Sequence, residues 1–196
     1  MAIHVVSALK YFNKWGWFFD KERNSMNKNT LDMIIKSSTT KEGGMTLLPL
    51  SVFSEVITST PLVSIDIVLR DSQKRYLLGL RNNPPAKGYW FVPGGRIFKN
   101  ETISAAFTRI CYSELGAMKN ISSASLIGIF DHFYSDSFVS ESISTHYVAI
   151  GYEIDVQDDF LPYLDRQHSD YKWFTEVELL ESPRVHPNTK LYIQDN

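Results

Sequence analysis

The densest chemistry in the sequence lies between Gly94 and Gly116. Gly94-Gly95-Arg96 opens a loop, Glu101 and Arg109 follow at fixed offsets, and Glu114-Leu115-Gly116 closes the run. A glycine loop that feeds a helix brings backbone groups to the helix N-terminus, a place suited to phosphate. Gly94 has no side chain and can turn its carbonyl inward. Further on, Gln167-His168 stands in an acidic stretch, Asp158 to Asp170. A histidine with a reference pKa of about 6.5 can take a proton from water at neutral pH. Asp66 interrupts an apolar strand pattern, where a lone carboxylate needs a partner. Arg81, on the next strand, is the candidate. Each residue also has a plainer reading: Arg81 as a solvated strand end, His168 as a loop residue in water, Arg109 and Glu101 as a structural pair.

These residues need elements to carry them, and the pattern supplies them. Leu50 to Ile57 reads as a helix that ends before Pro61. Leu62 to Leu69 alternates as a half-buried strand, and Arg75 to Arg81 follows as a second. Trp90-Phe91-Val92 is a short buried strand stopped by Pro93-Gly94-Gly95. Asn100 is the expected N-cap of a helix over 101–115, with Glu101 in its first turn and Gly116 as its end. Ser125 to Tyr134 and Thr145 to Val156 read as long strands, and a short helix is expected near Glu176 to Leu180. Strands and helices mix without regular βαβ alternation, which points to an α+β fold: a mixed sheet with helices packed on it.

The whole chain has 196 residues, 43% hydrophobic and 21% charged, the composition of an ordinary globular protein. Its net charge of −2 argues against nucleic-acid binding by bulk electrostatics. One cysteine, Cys111, excludes an intramolecular disulfide and fits a cytoplasmic setting. No apolar run reaches the ~18 residues of a membrane span. Residues 1–44 differ from the rest: seven Lys+Arg against four Asp+Glu, where residues 45–196 carry thirteen against eighteen. They are expected to form an appendage, with Trp15, Trp17, Phe18 and Phe19 as a small contact face. A native start at Met45, behind Lys41-Glu42-Gly43-Gly44, is a further expectation, which leaves 45–196 as the working domain.

The spacing of Gly95, Glu101, Arg109, Glu114 and Gly116 resembles the Nudix box of hydrolases that cleave nucleoside diphosphates linked to another moiety. The standard box has a Glu directly after the Arg and another just before the last Glu; here Ile110 and Ser113 stand there. That altered box, with Ser59-Thr60-Pro61-Leu62-Val63-Ser64, Gly88 to Arg96, Thr145-His146-Tyr147, Gln167-His168 and Asp170-Tyr171, resembles the branch of GDP-mannose mannosyl hydrolases. The resemblance covers Met45 to the end. It implies a Nudix fold, an α/β/α sandwich with a mixed β-sheet.

The resemblance also implies the roles. One Mg²⁺ per subunit would be held by the Gly94 carbonyl, Glu114 and Gln167, with pyrophosphate oxygens and water completing about six ligands. His168 would be the general base. Arg81 and Arg96 would serve departing GDP, since arginine stays charged and grips phosphate with two donors. Arg109, within the box, is a catalytic candidate with the pairing to Glu101 as its competing use. Asp66, Tyr147, His132 and Arg81 would surround the substrate. His146 and His186 are expected to be structural, and Cys111 to lie in the core. The implied reaction is hydrolysis of GDP-mannose, with GDP-glucose as a related substrate, to GDP and free hexose by water attack at the anomeric carbon with inversion. The rivals are a conventional Nudix pyrophosphohydrolase giving a nucleoside monophosphate and a sugar phosphate, and a silent nucleotide-binding module. A homodimer is a further implication.

Overall fold

The computed structural model describes residues 41–42, 45–46, 48–160, 162 and 168–194. Gln167 lies outside the described residues, as do the expectations for residues 1–44 apart from Lys41 and Glu42. The chain divides into two units, residues 1–53 and 54–196. In the first, β1 (Lys41–Glu42) pairs antiparallel with β2 (Met45–Thr46). Helix α1 spans Leu50–Ser59.

In the second unit, β3 (Leu62–Arg70), β4 (Tyr76–Arg81), β5 (Trp90–Phe91), β6 (Gly94–Arg96), β7 (Ser125–Tyr134), β8 (Thr145–Asp155) and β9 (His168–Phe174) form one seven-stranded sheet. The order is β5-β4-β3-β8-β7, with β6 added to β3 and β9 to β4. Only the β3–β8 pair is parallel among these; the other pairings are antiparallel, so the sheet is mixed. Helix α2 (Ile103–Leu115) packs on one face through Ala106, Phe107, Ile110 and Cys111 against Ile65, Ile67, Leu69 and Leu77. Helices α3 (Glu176–Glu181) and α4 (Pro187–Gln194) supply Leu179, Tyr192 and Ile193 to the other face, against Val68, Tyr76 and Leu78. Alternate residues of β3 and β4 therefore enter two different cores, as the period of two requires.

Four expectations need correction. β3 is not half-buried: all of it except Val63 and Arg70 is buried, because helices cover both faces. Gly94 and Gly95 do not merely stop a strand; with Arg96 they add to the β3 edge in register Asp66↔Gly94 and Ile65↔Gly95. The N-cap of α2 is Thr102, whose hydroxyl accepts from the Ala105 N–H at 3.2 Å, while Asn100 sits at φ 67° in the preceding turn. Glu101 thus precedes the helix rather than opening it. Gly116 does end α2, at φ 68°, a conformation that suits glycine. Helix α4 has no counterpart in the sequence reading.

Candidate active site

Two clusters of polar side chains meet the strands that were expected to carry chemistry. The first lies on the α2 side. His168 opens β9 opposite Arg81 of β4 and is 3% exposed. Its Nδ1 is 3.1 Å from the Tyr171 hydroxyl and 3.8 Å from Oε2 of Glu114. Tyr171 donates its hydroxyl to the Glu114 carbonyl at 3.1 Å and packs against the α2-side core. Glu114 itself is buried near the end of α2. Room for the imidazole comes from Gly79: a Cβ there would stand 2.8 Å from Cγ of His168 and 2.9 Å from Cε1 of Tyr171. A glycine inside a strand marks such a close approach.

The second cluster surrounds Asp66, 6% exposed on β3. Its Oδ2 accepts from the Tyr192 hydroxyl at 2.7 Å and lies 3.7 Å from Nδ1 of His132. Burial pushes the Asp66 carboxyl up to about 6, against the pull of the Tyr192 hydrogen bond and the Arg81 charge. Burial likewise pulls His132 and His186 down to about 4. Tyr147 and Tyr134 face the same group, their phenols pushed up by burial, with ring centroids 6.2 Å apart. His186 sits among Tyr89, Phe91 and Tyr134 at 5.1, 5.4 and 5.3 Å, consistent with a structural place.

Arg81 is not the hydrogen-bonded partner expected for Asp66. Its Nε donates to the Pro85 carbonyl at 2.9 Å, and it reaches Asp66, Tyr147 and His186 through its charge. The register slips between Gly79 and Arg81; such a bulge re-aims the side chain that follows it. Arg96, partly buried, faces Tyr147 electrostatically, and burial draws its guanidinium below the usual value.

Arg109 is engaged by its own loop. Nε and Nη2 grip Glu101 at 2.7 and 2.9 Å, and Nη2 also donates to the Arg96 carbonyl at 2.7 Å. The same carboxylate accepts from the Phe98 N–H at 2.9 Å, and the Phe98 ring lies 4.2 Å from the Arg109 guanidinium carbon. This closes the Arg96–Thr102 turn onto α2.

β6 lies between Asp66 and helix α2. The Ile67 N–H donates to Pro93 and the Ile97 N–H to Val63, so the antiparallel alternation turns the Gly94 N–H and C=O away from β3. Gly94 must be glycine here: a Cβ would fall 2.6 Å from Oδ1 of Asp66 and 2.8 Å from the Ile65 carbonyl. Next to it, Gly95 stands where a Cβ would be 3.2 Å from Cγ1 of Ile110. Ile110, in the place of a carboxylate in the standard box, is 1% exposed and belongs to the core. Ser113 turns its hydroxyl back to the Ile110 carbonyl at 3.2 Å. Among the described residues no group of three or more His, Cys, Asp or Glu is arranged to hold a metal ion. Tyr171, Tyr192, Tyr134 and Gly79 were missed from sequence as site residues; Gly79 carried a signal, as an isolated glycine in an apolar strand.

The model of the NUDIX domain matches residues 60–195. The curated protein Agl8 of Haloferax volcanii, described as a low-salt glycan biosynthesis protein, is 40% identical over 150 residues, 76% of this chain and 90% of that protein. The MutT protein of Methanosarcina mazei Go1 shares the fold with TM-score 0.58 at 17% identity, covering 69% of this chain and 93% of its own. A MutT NUDIX hydrolase from Burkholderia pseudomallei does so with TM-score 0.55 at 24% identity, covering 70% and 98%. The chain belongs to the Nudix hydrolase superfamily, and its mixed sheet between helices is the Nudix fold. No described helix is long and apolar enough to cross a membrane.

Proposed function

We propose that the protein hydrolyses a GDP-hexose, GDP-mannose with GDP-glucose as a second substrate, to GDP and free hexose by attack of water on the anomeric carbon with inversion. The observation that carries this reading is the fate of the box carboxylates: Ile110 lies in the core and Ser113 is bonded to its own helix, which leaves Glu114 as the box carboxylate beside His168. Glycan biosynthesis in the name of Agl8 is in keeping with a sugar nucleotide as substrate.

The residues present fit one divalent ion. Gly94 turns its carbonyl off the β3 ladder, and the buried Glu114 carboxylate is an oxygen donor of the kind Mg²⁺ takes. Gly94, Glu114 and Gln167 would hold Mg²⁺. When bound, it supplies charge neutralisation for the pyrophosphate of the leaving GDP. Arg81 and Arg96 add fixed positive charge to the same end, a preorganised stabilisation that needs no rearrangement during reaction.

His168 acts as the base. Tyr171 donates to the Glu114 carbonyl, so its oxygen accepts from Nδ1–H of His168, and that tautomer places the lone pair on Nε2. Nε2 is buried in this structure, so substrate binding must open the start of β9 to water. Nε2 then takes one proton from water, the resulting hydroxide bonds to the anomeric carbon, and the carbon–oxygen bond to GDP breaks with its electron pair left on the phosphate oxygen. Asp66, Tyr147 and His132 line the sugar side. Arg109 serves as the clamp of the loop that carries Arg96.

Hydrolysis of GDP-mannose with Mg²⁺ in oxygen-18 water tests the reading. Label in free mannose beside unlabelled GDP supports it. Label in a phosphate-bearing product with GMP released means conventional Nudix chemistry, and no turnover with retained GDP binding means a silent module.

A further inference from the structure

Tyr192 takes no part in the chemistry above, yet among the described residues it is the largest of the fully buried side chains. Its ring lies over Gly151, where a Cβ would come within 2.8 Å of Cε1, and it meets the Phe130 ring edge-on at 4.8 Å. Its hydroxyl is 2.7 Å from Oδ2 of Asp66 and 3.3 Å from Nε2 of His132. A phenol has one proton, and the short contact to the carboxylate takes it. Nε2 of His132 must then be the donor to the phenol oxygen. Burial, which draws His132 down to about 4, keeps this ring neutral at neutral pH, so Nδ1 carries the lone pair. The 3.7 Å from Nδ1 to Oδ2 is beyond hydrogen-bond range. The chain therefore runs from His132 through Tyr192 to Oδ2, and the Ser64 side chain adds a further hydrogen bond to the carboxylate. The other carboxylate oxygen, Oδ1, stands against Gly94, 2.6 Å from where a Cβ would be.

We infer that Tyr192 is a positioning residue: it ties back Oδ2 of Asp66, presents Oδ1 at the Gly94 edge, and thereby sets which hexose the site accepts. The inference rests on the proposed reading of Asp66 as a sugar contact. Tyr192 acts from the C-terminal helix, 126 residues from Asp66, and removing its hydroxyl leaves Asp66 in place with the Ser64 side-chain hydrogen bond but without the tie on Oδ2.

The test is Tyr192→Phe in the full chain, which keeps the ring and its packing. The kcat/KM for the preferred GDP-hexose should fall about 10–100-fold, the range for losing a group that orients a site residue. The ratio of kcat/KM for GDP-mannose over GDP-glucose should move toward one, while the calorimetric Kd for GDP stays within twofold. In parallel, nitrogen-15 NMR of His132 should show the Nε2–H tautomer in the wild type and a mixture in the variant. An unchanged hexose ratio with kcat/KM within twofold overturns the inference. So does an Nδ1–H tautomer in the wild-type spectrum, a result that needs no variant. If the wild type turns over no GDP-hexose, the functional reading fails, and the NMR comparison alone decides whether Tyr192 orients the pair.

Discussion

Nδ1 of His168 lies 3.1 Å from the Tyr171 hydroxyl, and the same hydroxyl is 3.1 Å from the Glu114 carbonyl. One tyrosine thus ties the start of β9 to the end of α2 and assigns the proton on the histidine. Tyr171→Phe should lower kcat about tenfold with KM for the GDP-hexose little changed, because the base is present but its tautomer and orientation are no longer fixed. His168→Gln should cost more, about 10²–10⁴ in kcat, with GDP affinity retained by calorimetry. Equal losses in the two variants would mean that Tyr171 does more than orient His168.

The Arg109–Glu101 pair makes a prediction about acid stability. The Glu101 side chain is 2% exposed. Burial pushes its carboxyl up, but the Arg109 hydrogen bonds, the Phe98 N–H and the Arg109 charge outweigh this and hold it below the ordinary 4.5. The stability this contributes is fully present above the unfolded value and is lost as pH falls through the folded one. Arg109→Ala leaves a buried carboxylate without its cation, at a cost of about 3–5 kcal/mol at neutral pH. Denaturant unfolding at a series of pH values should show that deficit shrinking below about pH 4.5; a constant deficit would place the effect in packing alone.

Asp66 has the opposite sign. Its folded carboxyl holds a proton up to about 6, against 3.8 as the ordinary value. Stability is therefore greatest below the unfolded value and declines as pH rises through about 6. His132 and His186, both near 4 in the fold, slope the other way, so the wild-type curve alone mixes the effects. Asp66→Asn isolates one of them. It should be more stable than the wild type at pH 7–8 by roughly 1–3 kcal/mol, equal to it near pH 4, and at least tenfold less active. A pH-independent difference between the two would mean that Asp66 is not held protonated by burial.

What could be read in advance was local. Gly116 as the end of α2 and strands over 62–69 and 75–81, each within a residue of the strands formed, follow from turn chemistry and short apolar runs, although the burial of both faces of β3 does not. The cap moved from Asn100 to Thr102 because Glu101 is drawn out of the helix to meet Arg109 and the Phe98 N–H, a tertiary pull that propensity does not contain. Tyr192 and its helix left no clear trace: Pro187–Gln194 turns Thr189, Tyr192 and Ile193 inward, too few apolar positions to stand out from a loop. The tie from Tyr192 to Asp66 depends on α4 packing on the face of β3 that carries Asp66 and Val68. Glu114 and His168 were legible as types, but their nearness depends on β9 pairing with β4.

The departures from the box can be tested by reversing them. Ile110 fills the space under Gly95 and touches the core of α2 and β3, and it is 1% exposed. If the box had merely lost a ligand, restoring Glu there would recreate metal chemistry at phosphorus. The packing argues otherwise: an ionised carboxylate at this position has no water and lies among apolar neighbours, so the protein must unfold in part, or keep the group protonated. Ile110→Glu should therefore destabilise the fold by about 3 kcal/mol or more, read from denaturant unfolding. Ser113→Glu, at an exposed place on α2, should be tolerated within about 0.5 kcal/mol. Neither variant should shift oxygen-18 label from free hexose into a phosphate product. If Ile110→Glu folds normally and releases labelled GMP, the core position of Ile110 is incidental, and attack at carbon is not built into this helix.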